Sequence, residues 1–270
     1  MRTSFFLSLV LVAACGGATA DPTPTKPVAS APPPAAALVA PDAPTATWCD
    51  GQTDHAFCAD FDGEYAADGW QVWTGGPLLT VPSDRSSPSA FGLQMPAWQD
   101  TPPPKSGTAL MKKLDHRGPK QVSVAFDLRV DASLTAVGEQ VTPVSVYLAT
   151  ELGSSPYAEV DFEILRTGAS LQAFAVTDDE APDPNSFATS DVAAPPSGKW
   201  ARVVVELFAG DGGATRASLS YDGVPAGSLS LAAFDTSLID SAYLLLGDVG
   251  GSALAQPFVA AIDNVVVDLK

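Results

Sequence analysis

Between Gln121 and Val130 the chain alternates: Val122, Val124, Phe126, Leu128 and Val130 are apolar and share one face, while Ser123, Asp127 and Arg129 share the other. Successive side chains of an extended strand point to opposite faces, so this segment can bury one face and wet the other only as a β-strand. The same period of two recurs at Phe57 to Asp62, Trp70 to Trp73, Ser89 to Met95, Thr108 to Leu114, Thr142 to Ala149 and Ala158 to Leu165. Further candidate strands are Ser170 to Val176, Trp200 to Phe208, Ala214 to Tyr221, Ala226 to Leu231, Ser241 to Leu246 and Pro257 to Leu269. From Cys49 onward no run of ten or more residues carries apolar positions at helical spacing. Asp62-Gly63, Thr167-Gly168, Gly210-Asp211-Gly212-Gly213 and Asp222-Gly223 supply the positive φ that tight reversals need. The polar, proline-rich stretch Thr177 to Lys199 reads as a loop. So many strands in one domain's length of chain predict an all-β fold, with two antiparallel sheets stacked as a sandwich in a jelly roll; a closed barrel is the alternative.

The N-terminus obeys different physics. Arg2 gives a positive start and Phe5 to Val12 an apolar core too short to span a bilayer, the pattern of a secretory signal. Leu11-Val12-Ala13-Ala14-Cys15-Gly16 then resembles the bacterial lipobox. That resemblance implies removal of residues 1–14, diacylation of the Cys15 thiol and acylation of the new amino group, so that the chain reaches the membrane through a lipid anchor. Gly16 stands where an Asp would signal inner-membrane retention, which points to the outer membrane, periplasmic or surface-facing. Residues 15–47, after the acylated cysteine, are rich in Pro, Ala and Thr and cannot bury enough apolar surface to fold. They read as a disordered tether holding the remainder, residues 48–270, roughly 50 to 100 Å from the membrane at about 3.1 Å per residue.

With Asp and Glu at 31 against Lys and Arg at 14, the formal charge is −17, and no basic cluster exists to grip a phosphate backbone. The charge balance predicts no nucleic-acid partner. Acidity of this size keeps an exported protein soluble and is compatible with a divalent cation. With Cys15 acylated, Cys49 and Cys58 remain; an oxidising compartment and the short intervening loop predict a disulfide between them. A zinc site is not written here, because His55 and His116 are far apart and too few ligands accompany them.

Three pieces of the domain resemble the concanavalin A-like lectin and glucanase superfamily, which includes laminin-G-like modules. Phe57-Cys58-Ala59-Asp60-Phe61-Asp62-Gly63 opens it; Lys199-Trp200-Ala201-Arg202-Val203, followed by Tyr221-Asp222-Gly223, occupies the middle; Ile262-Asp263-Asn264-Val265-Val266-Val267 closes it. The resemblance implies a curved sandwich whose concave sheet often carries a carbohydrate site.

Glu159-Val160-Asp161-Phe162-Glu163 is the constellation that could carry chemistry, since residues two apart on a strand share a face and the three carboxylates point the same way. It is similar to the Glu-x-Asp-x-Glu strand of glycoside hydrolase family 16. By position, the resemblance makes Glu159 the nucleophile, Asp161 its assistant and Glu163 the general acid/base of a retaining hydrolase, which needs its two carboxyls about 5 to 5.5 Å apart. On a flat strand, Cα atoms four residues apart are separated by about 13 Å, so only a coiled sheet could bring the tips together. The chain departs from the hydrolase pattern nearby: Val144 to Pro156 holds Tyr147 as its one aromatic residue, and no His follows His116. Trp70, Trp73, Trp98 and Tyr147 are candidates for stacking on sugar rings, with a place in the core as the alternative. Asp60, Asp62 and Asp263, near the two ends of the domain, are candidate ligands for a structural calcium, although no cofactor is required and turns or a bulge account for the same residues. The leading expectation is a lipid-anchored envelope protein whose sandwich binds a polysaccharide or another envelope component without turning it over. The alternatives are a retaining β-glycan hydrolase and a structural envelope protein.

Overall fold

The computed structural model describes residues 47–62, 69–72, 80–83, 85, 89–95, 109–131, 134, 139–177, 187–209, 214–247 and 258–270. Its strands are β1 (Phe57–Ala59), β2 (Gln71–Val72), β3 (Thr80–Pro82), β4 (Ser89–Met95), β5 (Leu110–Asp115), β6 (Gln121–Val130), β7 (Gln140–Ala149), β8 (Tyr157–Leu165), β9 (Gly168–Val176) and β10 (Phe187–Val192). They continue as β11 (Trp200–Phe208), β12 (Ala214–Tyr221), β13 (Val224–Ala233), β14 (Ser241–Leu246) and β15 (Phe258–Leu269), with 3-10 turns at Trp48–Gly51 and Thr236–Leu238. Two antiparallel sheets form a sandwich, as the alternation predicts. One is eight-stranded, in the order β13-β12-β11-β6-β15-β4-β3 with β1 also pairing β15; the other is seven-stranded, in the order β10-β9-β8-β7-β14-β5-β2.

The apolar side of each alternating strand fills the space between the sheets. Val122, Val124, Phe126 and Leu128 of β6 are buried together with Val160, Phe162 and Ile164 of β8 in one continuous core. Asp222 (φ 50°) and Gly223 (φ 78°) both take the left-handed conformation of a two-residue hairpin loop, closing β12 onto β13 with Tyr221 opposite Val224. Where the sheet edges meet, β13 lies against β10, and the contact is so close that a Cβ on Gly227 would stand 2.3 Å from Val192 Cγ1.

One expectation is overturned. The stretch Thr177 to Lys199 contains β10, which pairs with β9 from Phe187 opposite Phe174 to Val192 opposite Ala169. Its side chains are mostly partly or fully exposed, with Val192 alone buried. An edge strand is held by its ladder to one neighbour rather than by an apolar face of its own, so its sequence carries little hydrophobic signature. The short strands β2 and β3 are likewise edge elements.

On the outer face of the eight-stranded sheet, Trp48 of the N-terminal segment stacks over the Arg202 guanidinium at 5.6 Å. Cys49 and Cys58 form a disulfide that ties the Trp48–Gly51 turn to β1. Beneath it, a bulge in β15 puts Asn264 at φ 50°, and its Nδ2 donates to Asp127 Oδ2 at 2.8 Å. Arg85 and Arg202 flank the buried Asp127 at 3.4 and 3.6 Å, and Arg202 also donates to the Asn264 carbonyl at 2.6 Å. Burial pulls the Arg202 guanidinium below its ordinary pKa, against the opposing pull of Asp127.

Candidate functional site

Strand β8 turns Ala158, Val160, Phe162 and Ile164 into the core and leaves Tyr157, Glu159, Asp161 and Glu163 on the outer face of the seven-stranded sheet. The β8–β9 reversal is the two-residue turn Arg166–Thr167, one residue earlier than the expected Thr167-Gly168 and with no positive φ at either of those two, and it sets Phe174 opposite Glu159, Gln172 opposite Asp161 and Ser170 opposite Glu163. On the other side, Tyr147 stands opposite Glu159 and Ser145 opposite Asp161. A bulge between Val141 and Val144 then interrupts the ladder beside Glu163. Three strands thus converge polar groups on one patch.

The three carboxyls do not have equivalent surroundings. Glu159 is half-buried; loss of hydration, then the adjacent Asp161 charge and a hydrogen bond with Asp161, push its pKa up to about 8, while hydrogen bonding from Tyr147 works in the opposite direction. The Tyr147 hydroxyl is in turn pushed well above the ordinary phenol range by burial first and by Glu159 second. The shift is toward the protonated form of Glu159, the form that donates a proton.

Glu163, four residues along, is only 4% exposed. Gln140 Nε2 donates to its Oε1 at 3.3 Å and Gln172 Nε2 donates to its Oε2, so both carboxylate oxygens accept from amides of the flanking strands. Glu159 and Asp161 are joined directly by a hydrogen bond.

Aromatic side chains border the carboxyls on both sides. Phe174 and Phe187 of β9 and β10 pack at 4.9 Å between ring centroids, with Phe187 46% exposed. Across β8, Tyr147 and Tyr157 approach to 6.4 Å and rest on Met111, Ala149, Tyr243 and Leu245. Among the described strand residues of this face Lys113 is the single cation, and it is paired with Asp115 at 3.3 Å.

Of the candidates named from sequence, the structure brings Tyr147 to Glu159 and Asp161. Trp70 is instead on the core side of the sheet edge, packed against Phe57 at 5.2 Å and Phe61 at 6.1 Å. Trp73, Trp98 and Cys15 lie outside the described residues. Asp60, Asp62 and Asp263 each accept from nearby donors: Cys49 N to Asp60 at 2.9 Å, Ser89 N to Asp62 at 3.1 Å and Ser83 Oγ to Asp263 at 2.7 Å. Among the described residues no three His, Cys, Asp or Glu side chains gather to hold a metal. Sequence reasoning missed Gln140, Gln172, Phe174 and Phe187. Register from the Arg166–Thr167 turn would have found Gln172 and Phe174, because a two-residue hairpin fixes every pair beyond it.

No protein-family model matches the chain, and no curated protein sequence is significantly similar to it. Solved structures share the fold. Endo-β-1,4-glucuronan lyase from the fungus Trichoderma reesei superposes with a TM-score of 0.55 at 13% identity, over 80% of this chain and 96% of that one. Alginate lyase vAL-1 from Chlorella virus gives 0.56 at 10% identity over 75% and 94%. Endo-1,3-β-glucanase from Streptomyces sioyaensis gives 0.51 at 17% identity over 79% and 95%. The chain shares the two-sheet β-sandwich fold of these proteins.

Proposed function

We propose that this chain is an exported envelope protein that binds an uncharged glycan on the outer face of its seven-stranded sheet without cleaving it. One observation carries the choice of binding over hydrolysis: Glu163 has both oxygens occupied by the Gln140 and Gln172 amides while buried to 4% exposure, so it is poorly placed to meet a substrate. Aromatic side chains beside polar groups are the usual means of holding a sugar, whose ring has apolar faces and a polar rim. The presence of the same fold in a glucuronan lyase, an alginate lyase and a glucanase supports a carbohydrate ligand by analogy. Charge favours a neutral one, because the acidic groups of this face would repel a polyanionic chain and its one described strand cation, Lys113, is paired with Asp115.

The hydrolase alternative has one supporting observation. A Glu159 that keeps its proton up to about 8 suits a general acid, not the nucleophile of the family resemblance. Titrating the protein at pH 7 with soluble β-glucans, galactans and xyloglucan, followed by calorimetry and by assay of new reducing ends, separates the readings. Binding without new ends is the expected result. Turnover abolished by Glu159→Gln would establish the hydrolase, and no binding to any glycan would leave the structural role.

Anchoring through Cys15 at the outer membrane belongs to the same proposal. A Cys15→Ser variant should leave the membrane fraction, and its retention there would refute the anchor.

A further inference from the structure

We infer that Glu163 sets the specificity of this face as a positioning residue, by fixing the hydrogen-bonding polarity of two glutamines that meet the ligand. The inference rests on the glycan-binding reading above. A carboxylate oxygen accepts, so each amide facing it must present its NH2 end, and the amide oxygen is left as the end available to a ligand. Gln140 reaches Glu163 Oε1 from β7 and Gln172 reaches Oε2 from β9, one from each flanking strand. Among the described residues neither glutamine oxygen has a protein partner.

The clamp is built in. Glu163 is 4% exposed, lies beside the β7 bulge and is opposite Ser170, itself 3% exposed, so it cannot swing away to release either amide. Gln172 is also the direct cross-strand neighbour of Asp161. The result is a row of acceptors, two amide oxygens beside the Glu159–Asp161 pair, that recognises a ligand through the hydroxyl hydrogens it donates. A neutral sugar with free hydroxyls satisfies such a row. A uronic acid places an acceptor carboxylate against these acceptors and leaves both sides unmatched once the bound ligand has excluded water.

The test uses hexasaccharides of β-1,3-glucose, β-1,4-glucose, β-1,4-mannose and β-1,4-glucuronate, titrated into the wild-type protein and into Glu163→Gln at fixed pH and salt. The wild type should bind at least one neutral hexamer, and the glucuronate hexamer about 100-fold more weakly or worse. The amide introduced by Glu163→Gln would bring its own NH2 group, so one clamped glutamine must turn and offer a donor outward. The ratio of neutral to glucuronate affinity should then fall by about three-fold or more. A purely structural role would weaken both ligands together and leave the ratio in place, and that outcome overturns the inference while the glycan reading stands. If no neutral hexamer binds the wild type, the glycan reading itself falls.

Should Glu163→Gln fail to fold, Gln172→Met decides the matter: it keeps the bulk and removes the outward oxygen. Loss of about three-fold or more in neutral-hexamer affinity supports the clamp, and a smaller change overturns it.

Discussion

Replacing Glu159 with Gln should make the protein more stable at alkaline pH and leave it nearly unchanged in mild acid. In the folded chain the proton shared by Glu159 and Asp161 is retained up to about 8, whereas an ordinary glutamate releases it near 4.5. Between those values the native state binds more protons than the unfolded state, so the free energy of unfolding falls as pH rises, and the penalty is complete above about 8. At about 1.36 kcal/mol per pH unit the ceiling is about 5 kcal/mol. Water reaching the half-buried carboxyl and the joint titration with Asp161 reduce the measurable part to about 2 to 3 kcal/mol.

The groups facing Glu159 are Tyr147 from β7 and Asp161, Tyr157 and Glu163 on its own strand; β9 contributes the uncharged Phe174 and Gln172. Glutamine can still accept from Tyr147 and can donate to Asp161, so it mimics the protonated acid. Thermal melts of both proteins from pH 5 to 9 provide the readout, because titrations common to the two cancel in the difference. The Tm values should nearly coincide at pH 5, and by pH 8.5 the variant should be higher by roughly 5 to 10 °C for a domain of this size. A difference that does not change with pH, or a variant that is less stable at pH 8.5, would refute the reasoning.

Four further outcomes follow from the packing. Gly227→Ala should cost about 1 to 3 kcal/mol in urea unfolding, since its Cβ would stand 2.3 Å from Val192 Cγ1. Adding Val192→Ala should recover part of that loss, and strict additivity of the two changes would contradict the steric account. Arg202→Met should cost about 2 to 3 kcal/mol by removing one of the two guanidiniums beside the buried Asp127, a loss readable in the urea midpoint at pH 7. Opening the Cys49–Cys58 bridge with paired serines should lower stability by about 2 to 3 kcal/mol, as expected for so short a loop; an unchanged midpoint would mean the N-terminal cap contributes nothing to folding. Adding EDTA should leave Tm in place, because Asp60, Asp62 and Asp263 are already engaged with Cys49, Ser89 and Ser83; a fall in Tm restored by calcium would reinstate the cation.

The strands could be read from sequence wherever burial imposed alternation, because a period of two is a local property of the chain. Val122 to Val130 needed no knowledge of what they would pack against. Phe187 to Val192 could not be read, because its pairing comes from β9 and its own residues present almost no apolar face. The export signal, the cysteine count and the short loop between Cys49 and Cys58 together predicted their bridge, whereas the core position of Trp70 depended on Phe57 and Phe61 arriving from elsewhere.

At the site the division is sharper. The alternation of β8 alone put Glu159, Asp161 and Glu163 on one face, a consequence of backbone geometry that any strand with this sequence would share. Their chemical differences came from neighbours brought in by tertiary structure. Burial and the adjacent Asp161 raise the pKa of Glu159 against the opposing hydrogen bond from Tyr147, while the β7 bulge and the amides of Gln140 and Gln172 enclose Glu163. Hydration and hydrogen-bond partners fix the state of a carboxyl, and both depend on which distant strands lie alongside it. The sequence by itself determined where the three acids point, and only the packed sheet decided what each can do.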